Sequence, residues 1–261
     1  MTTTSTAVDD VKPIGRAANP ALAATENRLM ADLLESLTDD DWSKPTDCPA
    51  WDVRALAGHV LGGMEGFARF GQFVHQMRAG GKAAGDGPFI DGMTAVQVRE
   101  RADLSRADLL ARLADVGPRV AQARSRVPGL LRLMPLKQDV GGVEEKWKMG
   151  YLLDVVLTRD TWLHRVDISR AIGHEMVLTA DHDGRIVADV VAEWARRHGQ
   201  PFTLHLEGPA GGTFTSAGTG SADQPVSGDQ GEVITIDAVE FCRILSGRAI
   251  GAGLLTQEVP F

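Results

Sequence analysis

The chain has 261 residues, 43% of them hydrophobic, enough for one large core or two modest ones, and its formal net charge is −8. Acidic and basic residues are interspersed, so it lacks the basic stripe that a nucleic-acid backbone or an anionic membrane surface requires. Cys48 and Cys242 are the only cysteines; they form neither a disulfide framework nor a CxxC site, so any metal has to be held by histidine and carboxylate.

The N-terminal stretch has no basic segment followed by an apolar core, and no run approaches the ~20 apolar residues that span a bilayer, so the expectation is a cytoplasmic protein without membrane or nucleic-acid partners. Residues 1–20 show no periodicity and read as a mobile lead-in. Leu22, Leu29, Met30, Leu33, Leu34 and Leu37 fall at helical spacing and predict a first amphipathic helix. Asp52 reads as the N-cap of a second helix, with a stripe through Val53, Leu56, Val60, Met64, Phe67, Phe70 and Val74 that runs to Arg78. His59 sits beside this stripe, either as a satisfied core histidine or as a ligand. Gly62 and Gly63, costly inside a helix, suggest that room is kept next to the imidazole.

Residues 80–93, GGKAAGDGPFIDGM, read as a long flexible connection; they are not a P-loop, which needs GxxxxGK[ST]. After a short helical piece at 94–101, Ser105 with Asp108 resembles a capping box that opens a third long helix through Leu109, Leu113, Val116 and Val120, closed by Pro128-Gly129. No convincing strand is seen up to Lys148, and Glu144 and Glu145 are either extra ligands or part of a solvated turn.

A fourth long helix is expected from near Lys148 to Gly173, and it is where chemistry is expected. Its apolar stripe, Leu153, Val156, Leu157, Ile168 and Ala171, is interrupted by Asp160 and His164. Four residues apart, these lie on one face, where they either hydrogen-bond to each other or meet a single cation. His59 and His164 lie at matching heights only if the second and fourth helices are antiparallel, which makes the third parallel to the second and gives the glycine-rich connection the task of recrossing the bundle.

From Thr179 the pattern changes to a helix opened by Thr179 and ending at Gly199, strands at 202–206, 213–216 and 233–236, a polar turn-rich loop at 218–231, and a last helix capped by Asp237 and stopped by Gly247. The fold class is therefore α+β: a four-helix bundle over residues 21–178 and a small α+β domain over 179–261. Neither a dinucleotide fingerprint nor a GxSxG elbow occurs. Trp51 and Trp162 read as core, Cys48 as packing, and Arg165 and Arg170 as cations complementing a helix C-terminus.

Taken together, WDVRALAGHV, TRDTWLHRVDISRAIG and FCRILSGRAIGAGLL with the closing VPF resemble the mycothiol-dependent maleylpyruvate isomerase family, over roughly residues 21–261. The resemblance implies a DinB-like four-helix bundle running down-up-up-down, and one divalent metal, most often zinc, held by His59, Asp160 and His164. It also implies mycothiol as thiol cosubstrate and a small electrophilic or carboxylate substrate undergoing cis–trans isomerisation or S-transfer. The family pattern has glutamate where this chain has Asp160, one methylene shorter, which would draw the metal toward this helix or favour a different divalent ion. Asp167, one turn beyond His164, is expected to accept an imidazole N–H rather than bind metal. Arg248 matches the arginine of the family's SGR-like motif and is expected to be catalytic, pairing with a substrate carboxylate; from the residue alone, a surface salt bridge is as good a reading. A non-catalytic metal or small-molecule binding module is the alternative for the same architecture.

Overall fold

The computed structural model describes residues 5–218 and 231–261, so the turn-rich loop expected between Gly218 and Gly231 lies outside the described residues. In chain order the elements are β1 (Ser5–Ala7), α1 (Asn19–Ser36), α2 (Val53–Ala68), α3 (Phe70–Ala84), α4 (Phe89–Arg99), α5 (Arg106–Arg126) and α6 (Gly129–Arg132). They continue with β2 (Pro135–Val140), β3 (Val143–Lys148), α7 (Met149–Tyr151), α8 (Leu157–Ile172), α9 (Asp183–His198), β4 (Phe202–Glu207), β5 (Gly212–Ser216), β6 (Glu232–Asp237) and α10 (Ala238–Leu245). The chain divides into two compact units: one of Gly15–Leu136 and Lys148–Met176, the other of the residues up to Ile14, Lys137–Trp147 and Val177–Phe261.

The first unit is helical. Its helix starts follow the capping chemistry: Asp52 Oδ1 accepts the Ala55 N–H at 2.7 Å, and Ser105 Oγ accepts the Asp108 N–H at 3.0 Å. The core draws Met30 and Leu34 from α1, Leu56 and Leu61 from α2, Leu113 and Val120 from α5, and Ile168 from α8. Burial of each such side chain is worth about 1.5–3 kcal/mol, which is why these four helices form the bundle.

Three expectations for this part of the chain are corrected. The second helix does not run to Arg78: it stops at Ala68, Arg69 is extended at φ −135° and ψ 120°, and α3 starts afresh, leaving Phe70 80% exposed. Residues 80–93 are not a flexible connection but the end of α3 and the start of α4. A Cβ on Gly80 would fall 2.9 Å from the Met93 Cα, and one on Gly92 would fall 2.3 Å from the Gly80 carbonyl oxygen. Those glycines let two helix backbones approach closely; they do not break the helices. Finally, β2 and β3 form a hairpin where no strand was expected. It turns at Gly141 and Gly142, whose φ values of 58° and 81° suit the primed turn that a two-residue hairpin loop prefers. Beyond it, a π-helical stretch, Leu152–Val156, leads into α8.

In the second unit the sheet order is β1-β5-β4-β6, with β4 antiparallel to β5 and the two edge strands parallel to their neighbours. Leu204 lies opposite Phe214 and Ile234, and its alternates Phe202 and Leu206 are buried with it. Trp194 of α9 packs 4.8 Å from Phe202 and 5.4 Å from Phe241, and its indole N–H donates to the Leu254 carbonyl. The three predicted strands and the Asp237 cap are found where expected. Two readings differ. The helix expected from Thr179 begins at Asp183, whose carboxylate accepts the Thr179 N–H at 2.7 Å. The lead-in contains a strand, Ser5–Ala7 pairing with Thr213–Thr215, which its exposed, non-alternating residues concealed. Among the described residues no helix is long and apolar enough to cross a membrane.

Candidate metal centre

Two helices of the first unit bring His59, Asp160 and His164 together: one donor atom from each lies within 4.8 Å of the others. His164 Nε2 is 3.3 Å from Asp160 Oδ1, and His59 Nε2 is 3.8 Å from Asp160 Oδ2. The imidazole rings meet edge to face at 5.1 Å, and Trp51, half-buried against the core, stacks on His59 at 4.9 Å.

The outer hydrogen bonds decide which nitrogen each imidazole offers. The Gly62 carbonyl can only accept, so Gln76 must present its NH2 there, at 2.8 Å. The Gln76 Oε1 then accepts from the Gln97 NH2 at 3.0 Å, which leaves Gln97 Oε1 facing His59 Nδ1 at 2.8 Å. His59 therefore donates from Nδ1 and keeps a lone pair on Nε2 whenever it is neutral. Asp167, fully buried, does the same for His164, its Oδ2 lying 2.9 Å from His164 Nδ1. The same oxygen takes the Cys48 thiol at 3.6 Å, so Cys48 supports this carboxylate rather than merely packing. Both Nε2 atoms are thus turned toward Asp160.

The two glycines after His59 have different uses. A Cβ on Gly62 would fall 2.6 Å from the Gln97 Cβ, whereas Gly63 has open space beside it and lines a pocket with His59 and Asp160. The space beside the donor atoms is open to solvent and has room for a bound ion and for groups that approach it. Burial works against an ionised Asp160, but His164 and His59 outweigh it and hold the carboxyl well below its ordinary range. Burial likewise opposes a charged His164, yet Asp160, Asp167 and Cys48 raise it well above the usual imidazole value.

Arg124 also lines the pocket, and the sequence reading passed over it. It is 3% exposed. Burial lowers its pKa to about 10 against the pull of Asp154 and Asp160, so it remains cationic at neutral pH. Its signal was the spacing Val116, Val120, Arg124, which sets it on the buried stripe of α5.

Other candidates have different employment. Glu144 pairs with Lys137 at 3.0 Å, and Glu145 with Arg197 at 2.5 Å. Arg165 does not complement a helix end but forms a buried two-pronged pair with Glu26, at 2.8 and 3.1 Å. Arg170 reaches Asp47 at 3.1 Å, and Trp162 is fully buried. Arg248 belongs to the second unit and is half-buried; its backbone N–H donates to the Arg243 carbonyl just past Gly247.

The first unit is thus a helical bundle with an inward-facing cluster of two histidines and one carboxylate, in a chain that also carries a small α+β unit. Residues 23–169, more than half of the chain, match the family model of the mycothiol maleylpyruvate isomerase N-terminal domain, and the chain belongs to that family. A crystal structure of the mycothiol-dependent maleylpyruvate isomerase aligns with a TM-score of 0.54 and 16% identity, covering 98% of this chain and 98% of that one. A histidine-to-alanine mutant of that isomerase gives 0.53 and 14%, over 94% of this chain and 92% of the other. At such identities the likeness is one of fold, a helical N-terminal domain with a small α+β C-terminal one. No curated protein matches the chain.

Proposed function

We propose that this protein is a divalent-metal-dependent, mycothiol-dependent enzyme of the maleylpyruvate isomerase type, with His59, Asp160 and His164 as the metal ligands. The observation that carries this reading is the presentation of two imidazole Nε2 atoms and one carboxylate to a single point beside an open pocket. Two nitrogens and an oxygen suit zinc or a neighbouring divalent ion, and three protein ligands leave a position open, as catalytic rather than structural sites do. When bound, such an ion supplies the positive charge that keeps a thiol ionised at neutral pH.

The chain's own residues do the remaining work. Gln97 and Asp167 hold the imidazoles in the tautomer that offers Nε2, Trp51 covers one ring face, and Asp160 stays ionised. Val60, Met64 and Phe67 give the pocket an apolar wall. The reaction class is addition of a thiolate to an activated cis double bond, rotation about the resulting single bond, and loss of the thiolate; an S-transferase would stop at the adduct, whose carbanion takes a proton from water. Arg248 is assigned to a substrate carboxylate through its match to the family motif.

The test is mycothiol-dependent isomerisation of maleylpyruvate by metal-stripped and metal-reloaded protein. Turnover should return with the metal and be absent in His59→Ala. Stripped protein that turns over at the reloaded rate would overturn the proposal, and metal uptake without thiol-dependent turnover of any of a panel of electrophiles would favour a binding module.

A further inference from the structure

We propose that Arg124 is an anion receptor of this pocket and takes a carboxylate of the electrophile other than the one assigned to Arg248. Its side chain lines the pocket with His59 and Asp160, and its Nε, fully buried, has no hydrogen-bond partner among the described residues. A buried cation left short of partners is costly and persists where something outside the chain completes it. Of the carboxylates near it, Asp154 pairs with Arg132 through Oδ2 and leaves Oδ1 without a hydrogen-bond partner, and Asp160 faces the two imidazoles; neither is hydrogen-bonded to Arg124. Asn27 directs its Nδ2 to the Gly117 carbonyl at 2.9 Å, and Val60, Met64, Phe67, Val120 and Leu157 contribute only apolar surface. A guanidinium fork matches a carboxylate with two parallel hydrogen bonds, which a point charge does not.

This inference rests on the metal reading in one respect: a divalent ion at His59, Asp160 and His164 would neutralise Asp160 and leave Arg124 as a positive charge for an entering anion to meet. The position of Arg124 in the pocket does not depend on that ion.

The experiment is calorimetric titration of maleate, a small dicarboxylate, into metal-reloaded wild-type, Arg124→Gln and Arg124→Lys proteins, with Co2+ absorption monitoring metal and thiol coordination. Arg124→Gln should bind maleate roughly 10- to 100-fold more weakly with the Co2+ spectrum unchanged, and Arg124→Lys should recover part of the loss. Equal maleate affinity in wild type and Arg124→Gln, or loss of metal together with maleate, overturns the proposal. Should Arg124→Gln fail to fold, Arg124→Lys decides, since ammonium cannot reproduce the fork and several-fold weakening is still expected. If wild type takes up no metal, the metal reading falls and Asp160→Asn, which removes the facing charge, carries the test. Maleate bound by Asp160→Asn but not by Asp160→Asn with Arg124→Gln supports the receptor; equal binding by both, or by neither, overturns it.

Discussion

His59 Nδ1 lies 2.8 Å from Gln97 Oε1, and the orientation of that amide is set through Gln76, two hydrogen bonds away, by the Gly62 carbonyl. Gln97→Leu removes the acceptor and frees the imidazole to offer either nitrogen. Metal affinity should fall about 10- to 100-fold, the usual cost of losing the outer partner of a metal-binding histidine. Gln97→Glu keeps the acceptor toward His59 but sets its other oxygen against Gln76 Oε1, so it should recover only part of the lost affinity. Competition against a chromophoric chelator measures both, and equal affinities for Gln97→Leu and wild type would remove the tautomer argument.

The metal-free protein should have a distinctive pH profile. His164 is raised well above its unfolded value of ~6.5, so the stability it contributes is complete below that pH and is lost as pH rises through the folded value. Asp160 is depressed, so its share is present above ~3.9 and is lost only as pH falls toward its much lower folded value. The two face each other and form one coupled contribution, greatest between about pH 4 and 6.5. Thermal melts of chelator-treated protein should therefore fall on the alkaline side, and the fall should shrink in Asp160→Asn. Because a proton on His164 competes with the ion, metal affinity should rise with pH over the same alkaline range.

The paired glycines after His59 should respond differently. Gly62→Ala places a methyl 2.6 Å from the Gln97 Cβ and should cost about 1–3 kcal/mol through overpacking. Gly63→Leu projects into open space in the pocket and should leave the melting temperature nearly unchanged while weakening thiol binding. Melts and thiol titrations on the two variants separate these effects; equal loss of stability in both would contradict the division.

How much of this was legible in the residues follows from range. Asp52, Ser105 and Asp237 act within one turn of themselves, so the helix starts they cap were readable, and the i, i+4 pair Asp160–His164 was placed on one face by helix geometry alone. Gly80 and Gly92 misled, because a glycine that admits a neighbouring backbone looks in sequence like one that ends a helix. Gln97 and Arg124 escaped notice for the opposite reason. Their significance lies in partners 38 residues away, for the first, and in a pocket assembled from other helices, for the second.

Glu26 and Arg165 offer a control remote in purpose from the metal cluster. Removing one partner of a buried, two-pronged pair strands the other charge, so Glu26→Ala should destabilise by about 3–5 kcal/mol. A denaturation midpoint within error of wild type would show the pair to be dispensable.

The most direct measurement is the metal content of purified, reloaded protein, determined by elemental analysis beside His59→Ala, Asp160→Ala and His164→Ala, with helicity followed by circular dichroism. The expected result is about one divalent ion per wild-type chain and none in any of the three variants, with helicity retained. Undiminished metal in the variants, or none in the wild type, would contradict the assignment of these three side chains.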